Sequence, residues 1–392
     1  PTAEIVTLPL TLPAWTYGNA EFFQLEREQL FRRAWQVVCH VSELAAPGDY
    51  VTFEMLGERA FVVRGKDGAL RAFHNVCRHR AHAVVGGERG SCAGVIRCPY
   101  HGWLYNLDGR LRAMVAEKSF QGVDKQALGL MPLELELHLG FVFIRFVADP
   151  DEPSVAARFA PYAEEMAAYR SEAMEPLAPL WTRELEVDWK NVMDNYLEGY
   201  HVPASHPGLY DLFGARYEVE AKPGGVGRAI HWVRDERAAG WSQRAYQGLL
   251  PEAAHLPPAR RRAWAYYSLL PLVSFDFYAD SMDFFQAIPL DAGRTLLRAR
   301  RYGLPGADRR TRAAQWLSSR INAKVQAEDE ALTRSVQAGL ASSAYQVGVL
   351  SEKEAMLNAF HDWIRRRLPV ARQMEPPRDG TVATVNAALA GG

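Results

Sequence analysis

The chain has 392 residues and a near-even charge balance, 45 Lys and Arg against 46 Asp and Glu, for a formal net charge of −1. That length calls for two or three domains with a substantial core, and the balance offers no global basic field for nucleic acid or an anionic membrane surface. No apolar run reaches the length that spans a bilayer, and four cysteines (Cys39, Cys77, Cys92, Cys98) do not make a disulfide framework in a chain of this size. The opening Pro1-Thr2-Ala3-Glu4 lacks a charged region followed by an apolar stretch, so export is not expected and a reducing, cytoplasmic setting is.

Residues 1–17 are Pro-rich and apolar without a clean period and are expected to lie across a domain surface. Residues 19–33 read as a helix capped by Asn19, with Phe22, Phe23, Leu25, Leu30 and Phe31 on its apolar face. From Trp35 to about Phe146 the pattern becomes short strands punctuated by Pro47-Gly48, Gly57, Asp67-Gly68 and Asp108-Gly109. Asp149-Pro150-Asp151-Glu152-Pro153 reads as a linker. The expected division is residues 1–38 as an N-terminal segment and helix packing on the C-terminal domain, 39–148 as a small all-β domain, and 149–392 as the larger domain.

Within the all-β stretch stand Cys77-Arg78-His79 and, eighteen residues on, Cys98-Pro99-Tyr100-His101-Gly102-Trp103. A zinc site more often pairs Cys with Cys and His with His. Mixed Cys-x-His and Cys-x-x-His pairs suit a [2Fe-2S] cluster, with Cys77 and Cys98 on one iron and His79 and His101 on the other. Replacing two thiolates by imidazoles raises the potential to about −150 to +300 mV. This ligand pattern resembles that of a Rieske centre; the competing reading is a structural Cys2His2 zinc knuckle. Cys92 has no partner histidine at either spacing, and Cys39 reads as a small core residue. Arg78, Arg80, Arg89 and Arg97 surround the ligand loops, as a solvated face or a docking patch for an acidic donor.

The second half reads as α+β: an antiparallel sheet with helices packed to one side. A helix over 156–170 precedes a strand over 180–189. Further strands fall near 228–233, 265–270, 273–278, 284–288 and 294–302, and helices over 311–339 and 351–368, the last opening on the capping-box pattern Ser351 to Glu354. Residues 381–392 are small and are expected to form a loosely held tail. A helix over 189–202 would line one face with Asn191, Asp194, Glu198 and His201. Pro203 then lets the chain swing His206 back toward His201. Two imidazoles and a carboxylate make the facial triad of non-haem Fe(II) oxygenases, and Asp329, between Glu328 and Glu330, is the candidate third ligand. The competing readings are a hydrogen-bonded core pair for the histidines and an exposed helix face for Asp329. Aromatic residues from the strands (Trp264, Tyr266, Tyr267, Phe275, Phe277, Tyr278, Phe284, Phe285) are candidates to line a pocket or fill the core.

With both constellations in this order, the chain resembles the α subunit, or terminal oxygenase component, of the Rieske non-haem iron ring-hydroxylating oxygenases, over nearly its whole length. The resemblance implies an N-terminal Rieske domain and a C-terminal catalytic domain of helix-grip type. It also implies a head-to-tail homotrimer, with each cluster facing the iron of a neighbouring subunit. Electrons from NAD(P)H would arrive through a separate reductase or ferredoxin, since no dinucleotide-binding glycine motif follows a strand here. The cluster would pass them to Fe(II) held by His201, His206 and Asp329, where O2 is activated and oxygen enters a small-molecule substrate. A carboxylate three residues before the first iron histidine bridges the two centres in that family; here it is Glu198, with Asp194 as a candidate helper. Ring dioxygenases usually carry Asp there, and Glu resembles the branch that oxidises choline, glycine betaine, carnitine or stachydrine. Aromatic ring hydroxylation is the alternative, and a non-enzymatic Rieske electron carrier a remote one.

Overall fold

The computed structural model describes residues 9–391, leaving the first eight residues of the expected surface segment, and Gly392 of the expected tail, outside it. Two compact units are present: one from Arg32 to Ala156, the other joining the chain up to Phe31 with the chain from Ala157 onward.

The first unit holds strands β1 (Gln36–His40), β2 (Asp49–Met55), β3 (Glu58–Arg64), β4 (Leu70–His74), β5 (Arg89–Ser91), β6 (Ile96–Arg97), β7 (Leu104–Tyr105), β8 (Leu111–Ala113), β9 (Pro132–His138) and β10 (Phe141–Arg145). Seven form a sheet in the order β1-β10-β9-β4-β3-β2-β5, and β6-β7-β8 form a small second one. Two hairpins close through two-residue turns with positive φ at both positions, Leu56-Gly57 and Leu139-Gly140. This is the turn whose twist matches that of the strands, and a glycine supplies half of it without steric cost. The boundary expected at residue 38 falls inside β1, whose Gln36 stands opposite Ile144. The expected linker is not free either: Arg145 Nη1 donates to the Asp149 and Glu152 carbonyls at 2.9 and 3.2 Å, and Trp35 Nε1 to the Pro153 carbonyl at 3.0 Å. Both stretches therefore belong to this unit.

The second unit is built on an eight-stranded antiparallel sheet. Its strands are β11 (Glu175–Pro176), β12 (Trp181–Leu185), β13 (Tyr217–Lys222), β14 (Val226–Trp232), β15 (Ala263–Leu269), β16 (Val273–Phe277), β17 (Met282–Asp291) and β18 (Arg294–Gly303). The order is β11-β18-β17-β16-β15-β14-β13, with β12 pairing the other end of β18. Strand β16 is buried at every position, and β17 at all but its last two, the mark of strands covered on both faces. One face takes the rings of the segment after Ala157: Phe159 on Phe275, Tyr162 on Tyr267 and Tyr169 on Phe277. The opposite face receives Tyr196, stacked on Phe285, and the long helix Arg309–Leu340. Helices thus flank the sheet on both sides, not one as the pattern suggests.

Local physics sets the remaining boundaries. Asn19 caps its helix by accepting from the Phe22 N–H at 2.8 Å, but the helix proper runs only Ala20–Glu26 before widening over Arg27–Phe31. The helix expected over 156–170 is split into short pieces where Pro161 intervenes. The Ser351 capping box is present, ahead of helix Ala355–Arg367. The expected loose tail is a helix, Val382–Ala390: its alanines are strong helix formers, its Val382 and Asn386 are buried, and the Asn386 Oδ1 accepts from the Val370 N–H at 3.2 Å. No helix among the described residues is long and apolar enough to cross a membrane.

A buried charge cluster fixes the helix that leads into the histidines. The Lys190 Nζ, fully buried, lies 2.8 Å from both Glu26 Oε1 and Asp188 Oδ1, and the Trp189 Nε1 donates to Glu26 Oε2 at 3.2 Å. Burial pushes the Glu26 carboxyl up to about 7 against the pull of Lys190. Lys190→Met would strand two buried carboxylates, and a loss of about 3–5 kcal/mol is expected in a denaturant melt. Because the folded value of Glu26 lies above its unfolded one, its ionisation opposes the native state at neutral pH and ceases to do so below about 4.5. Without Lys190 the folded value rises further, so the variant's folded state keeps its proton above pH 7 where the parent's does not, and the deficit of the variant should grow as the pH rises above about 7.

Candidate metal centres

In the first unit the two ligand loops repeat one backbone device. The Cys77 carbonyl accepts from the Ala81 N–H at 3.0 Å and the Cys98 carbonyl from the Gly102 N–H at 3.1 Å. In each loop the residue four on from the cysteine has positive φ, 56° at Ala81 and 68° at Gly102. One loop leaves β4 and the other joins β6 to β7, so two sheets bring them together. Cys77 and Cys98 sit buried in the core with Trp103, Tyr105 and Ile96. The His79 and His101 rings lie 4.4 Å apart, and His79 stacks on Trp103 at 5.0 Å. The His79 Nδ1 is buried with no hydrogen-bond partner among the described residues, the state expected of a nitrogen reserved for a metal. The residues thus fit a two-thiolate, two-imidazole cluster. Tyr105 adds a contact that the spacing of the motif does not single out: its hydroxyl lies 3.3 Å from Cys77 Sγ and accepts from the Arg78 N–H at 3.1 Å.

In the second unit His201, His206 and Asp329 converge, with one ligand atom from each within 4.8 Å of the others. The two Nε2 atoms lie 3.1 Å apart, and Asp329 Oδ1 lies 2.9 Å from that of His206 and 3.7 Å from that of His201. Donors held at right angles about 2.1 Å from an ion stand about 3 Å from each other, so the spacing suits a shared cation. Both imidazoles are oriented from behind. His201 Nδ1 meets the Glu198 carboxylate, and His206 Nδ1 lies 2.8 Å from Glu328 Oε2. A carboxylate on Nδ1 fixes the tautomer that presents Nε2 to a metal. Burial opposes protonation of His206, but Asp329 and Glu328 outweigh it and hold its value above the ordinary one. Three carboxylates stand around two imidazoles, an excess of acidic over basic groups that a divalent cation would relieve.

The single helical face expected to carry Asn191, Asp194, Glu198 and His201 is not formed, because the helix runs only Trp189–Tyr196. Asn191 instead locks that helix to the long one, donating to the Thr333 carbonyl at 2.8 Å. Asp194 is not among the converging groups. Its carboxylate accepts from the Tyr17 hydroxyl at 2.6 Å and lies 2.8 Å from His361 Nε2. Pro203 does not break a helix but opens a short one, Val202–Ser205, which carries the chain back to His206. Of the three consecutive acids, Asp329 joins the metal group, Glu328 backs His206, and Glu330 pairs with Arg183 and Arg334 at 3.3 and 3.5 Å. His231 also belongs to this neighbourhood; burial, aided by His201, pushes it down to about 4, and it stacks on Tyr217.

A cavity of about 680 Å³ opens beside Asp329, between the sheet and the helices Trp189–Tyr196 and Arg309–Leu340. Of the eight candidate aromatics, Tyr266, Tyr278 and Phe285 line it, joined by Tyr196 and Trp181. Tyr267, Phe275, Phe277 and Phe284 alternate to the opposite face as core, and Trp264 is covered by Phe213 and Tyr246.

Comparison with known proteins agrees with this geometry. Residues 164–370 match the family described as the ring hydroxylating alpha subunit (catalytic domain), and residues 34–126 match the Rieske [2Fe-2S] domain. The carnitine monooxygenase oxygenase subunit of Escherichia coli (strain K12) is 41% identical over 202 residues, 51% of this chain and 53% of that protein. A glycine betaine monooxygenase oxygenase subunit of Pseudomonas aeruginosa (strain UCBPP-PA14) is 32% identical over 199 residues, 51% of this chain and 45% of that protein. The matched stretch spans about half the length of these curated relatives. Among solved structures, the quaternary ammonium Rieske monooxygenase CntA in complex with L-carnitine superposes with a TM-score of 0.76 at 27% identity, covering 92% of this chain and 96% of that one. Naphthalene 1,2-dioxygenase from Rhodococcus sp. shares the fold at 20% identity, with a TM-score of 0.74 over 91% of this chain and 94% of that one.

Two outcomes test these centres separately. Glu328→Gln should weaken iron retention by about 10–100-fold, read by metal titration against a chelator, with the visible spectrum of the cluster unchanged. Tyr105→Phe should shift the cluster to a more negative potential in a redox titration, since hydrogen bonds to the sulfurs raise it, while iron in the second unit stays in place.

Proposed function

The chain belongs to the ring-hydroxylating α-subunit family, with a Rieske [2Fe-2S] domain ahead of its catalytic domain, and from that premise we propose that it is the terminal oxygenase of a multicomponent system that hydroxylates, and in doing so can demethylate, a quaternary ammonium compound. The observation that carries this reading is the convergence of His201, His206 and Asp329 beside an aromatic-walled cavity, in a chain that also holds the Cys77/His79 and Cys98/His101 pairs.

When bound, the cluster supplies one-electron storage and a ferrous ion supplies activation of O2. The chain's own part is orientation. Glu198 and Glu328 hold the two imidazoles in the tautomer that leaves Nε2 free, Asp329 supplies the anionic ligand, and the aromatic cavity beside it receives the substrate. Electrons come from NAD(P)H through a separate reductase or ferredoxin, and the assembly is a head-to-tail homotrimer working in the cytoplasm. Within it Glu198 couples the iron of its own subunit to the cluster of the next. The quaternary ammonium substrate is favoured by the relatives named as carnitine and glycine betaine monooxygenases. It is also favoured by Glu198 where ring dioxygenases usually have Asp. Ring hydroxylation is the second reading, favoured by a naphthalene 1,2-dioxygenase large component from Pseudomonas aeruginosa that is 35% identical over 204 residues.

Two measurements decide. Purified protein should be brown, with a cluster and a mononuclear iron by iron and sulfide assay, and should consume O2 in step with γ-butyrobetaine or L-carnitine but not indole; coupling to indole instead would favour the second reading. Glu198→Gln should retain both metals and lose about 10–100-fold in turnover; full turnover in the metal-replete variant would remove Glu198 from the electron path.

A further inference from the structure

One row across the sheet of the second unit is out of keeping with a packed interior. Tyr266 on β15, Asp276 on β16, Asp283 on β17 and Arg301 on β18 are successive cross-strand partners, and all four line the cavity. Asp276 and Asp283 are only 6% and 9% exposed. Like charges directly opposite on neighbouring strands are destabilising, and burial without a matching cation makes them more so. Arg301 does not supply that match. Its Nε is 4.0 Å from Asp283 Oδ2, while its Nη2 lies 3.6 Å from Asp280 and donates to Ser318 Oγ at 2.9 Å. That guanidinium is shared between Asp280 and Asp283, and no ion pair reaches Asp276 among the described residues.

We propose that Asp276 and Asp283 are the counter-ion for a substrate's quaternary ammonium head, and that the head displaces a proton the two carboxyls share in the empty cavity. The proposal rests on the functional reading above and names the residues that give it its selectivity. A quaternary ammonium cannot donate a hydrogen bond, so a site must recognise it by charge and by ring faces. The cavity offers both. Tyr196 stacks on Phe285 at 4.8 Å and stands edge-on to Tyr266 at 6.4 Å, while its hydroxyl donates to Asp276 and lies 2.9 Å from Ser274 Oγ. Tyr278, Asp283 and Asp329 line the same cavity, so a head seated here lies beside the metal group. The charged and titratable groups around the pair are Tyr196 from the helix, Tyr266 and Arg301 from the strands, Tyr278 and Asp280 from the loop after β16, and Asp329 from the long helix; Arg183, Arg300 and Glu330 also line the cavity. Burial, with Asp283 beside it, pushes Asp276 well above the carboxylate range, while burial lifts Asp283 to about 6 against the pull of Arg301. Two carboxyls sharing a site hold one proton between them. A cation favours the doubly ionised pair, so affinity should rise with pH and level off once the pair ionises unaided.

The test pairs each cation with its carbon isostere on the full-length holoprotein: choline with 3,3-dimethylbutan-1-ol, and γ-butyrobetaine with 5,5-dimethylhexanoate. Isothermal titration at about pH 7, in two buffers of different ionisation enthalpy, reads affinity and protons released together. At least one cation should bind roughly 30-fold or more tighter than its isostere and release up to one proton, and the isostere should release none. Asp283→Asn should lose that preference and the proton release while keeping the cluster spectrum. Isosteres that match their cations, no cation binding at all, absence of proton release, or a cluster-replete Asp283→Asn protein that binds cations as before would each overturn the proposal. If that variant does not fold, the isostere and proton measurements on the unaltered protein still decide it. Oxygen uptake in the same preparation separates the two readings. Tight, proton-linked cation binding without oxygen consumption would sink the oxygenase and leave the acid pair; oxygen consumption coupled to indole with no cation affinity would do the reverse.

Discussion

The second unit depends on one arrangement: each metal-facing imidazole is held from behind by a carboxylate. A histidine free to flip or to change tautomer presents Nε2 only part of the time. Glu198 on His201 Nδ1 and Glu328 on His206 Nδ1 remove that freedom before any ion arrives. The two carboxylates come from chain segments more than a hundred residues apart, so the site exists only if the two helices are in register. That register is set by neutral hydrogen bonds, Asn191 Nδ2 donating to the Thr333 carbonyl and the Asp188 N–H to the Gln337 Oε1 at 2.9 Å, while the Lys190 cluster ties the start of the first helix to Glu26. A shift of one turn along the long helix would put Val325 or Thr333 in the place of Asp329, and neither can serve as the anionic ligand.

The first unit solves a related problem with other means. Its ligands sit on loops, which are intrinsically mobile, yet a cluster needs four donors at fixed positions. Both loops fold on the same carbonyl-to-N–H closure, with a left-handed residue at the same place, and both bury their cysteine in a shared apolar core. Ala81 holds in one loop the conformation Gly102 holds in the other, at a steric cost of about 1–3 kcal/mol that the surrounding packing must offset. Loop geometry here is set by the core below it.

The parts of this molecule that are legible in the sequence are those carried by local patterns. The two Cys/His pairs, the strands from β14 to β18, the long helix and the capping box at Ser351 all follow from spacing within a short window. No local signal separates Asp329 from its neighbours. Three consecutive acids on a helix point in directions about 100° apart, and nothing nearby says which direction meets the histidines. The role of Glu328 is hidden for the same reason. Asp194 looks equivalent to Glu198 on a helical wheel, but the wheel assumes a helix that continues past Tyr196. The tail reads as unanchored because its residues are small, yet alanine-rich segments fold readily once one or two positions, here Val382 and Asn386, find a surface.

Ending the helix at Tyr196 is what makes the site possible. In a continued helix the N–H groups of Tyr200 and His201 would be spent on carbonyls four residues back, and Glu198 would lie along the helix surface. With the ladder interrupted, those two N–H groups are free to be taken by the Glu198 carboxylate, which accepts from His201 N at 3.1 Å and from Tyr200 N. The same carboxylate still reaches the His201 imidazole. One side chain therefore satisfies the exposed backbone of the turn and fixes the metal-facing ring, so the backbone and the ligand cannot move independently. Asp194, one turn earlier and still inside the helix, has no such backbone to bind, and its carboxylate goes to Tyr17 and His361 instead. The difference between an acid that orients the metal site and one that braces the core comes down to which side of the helix end it stands on.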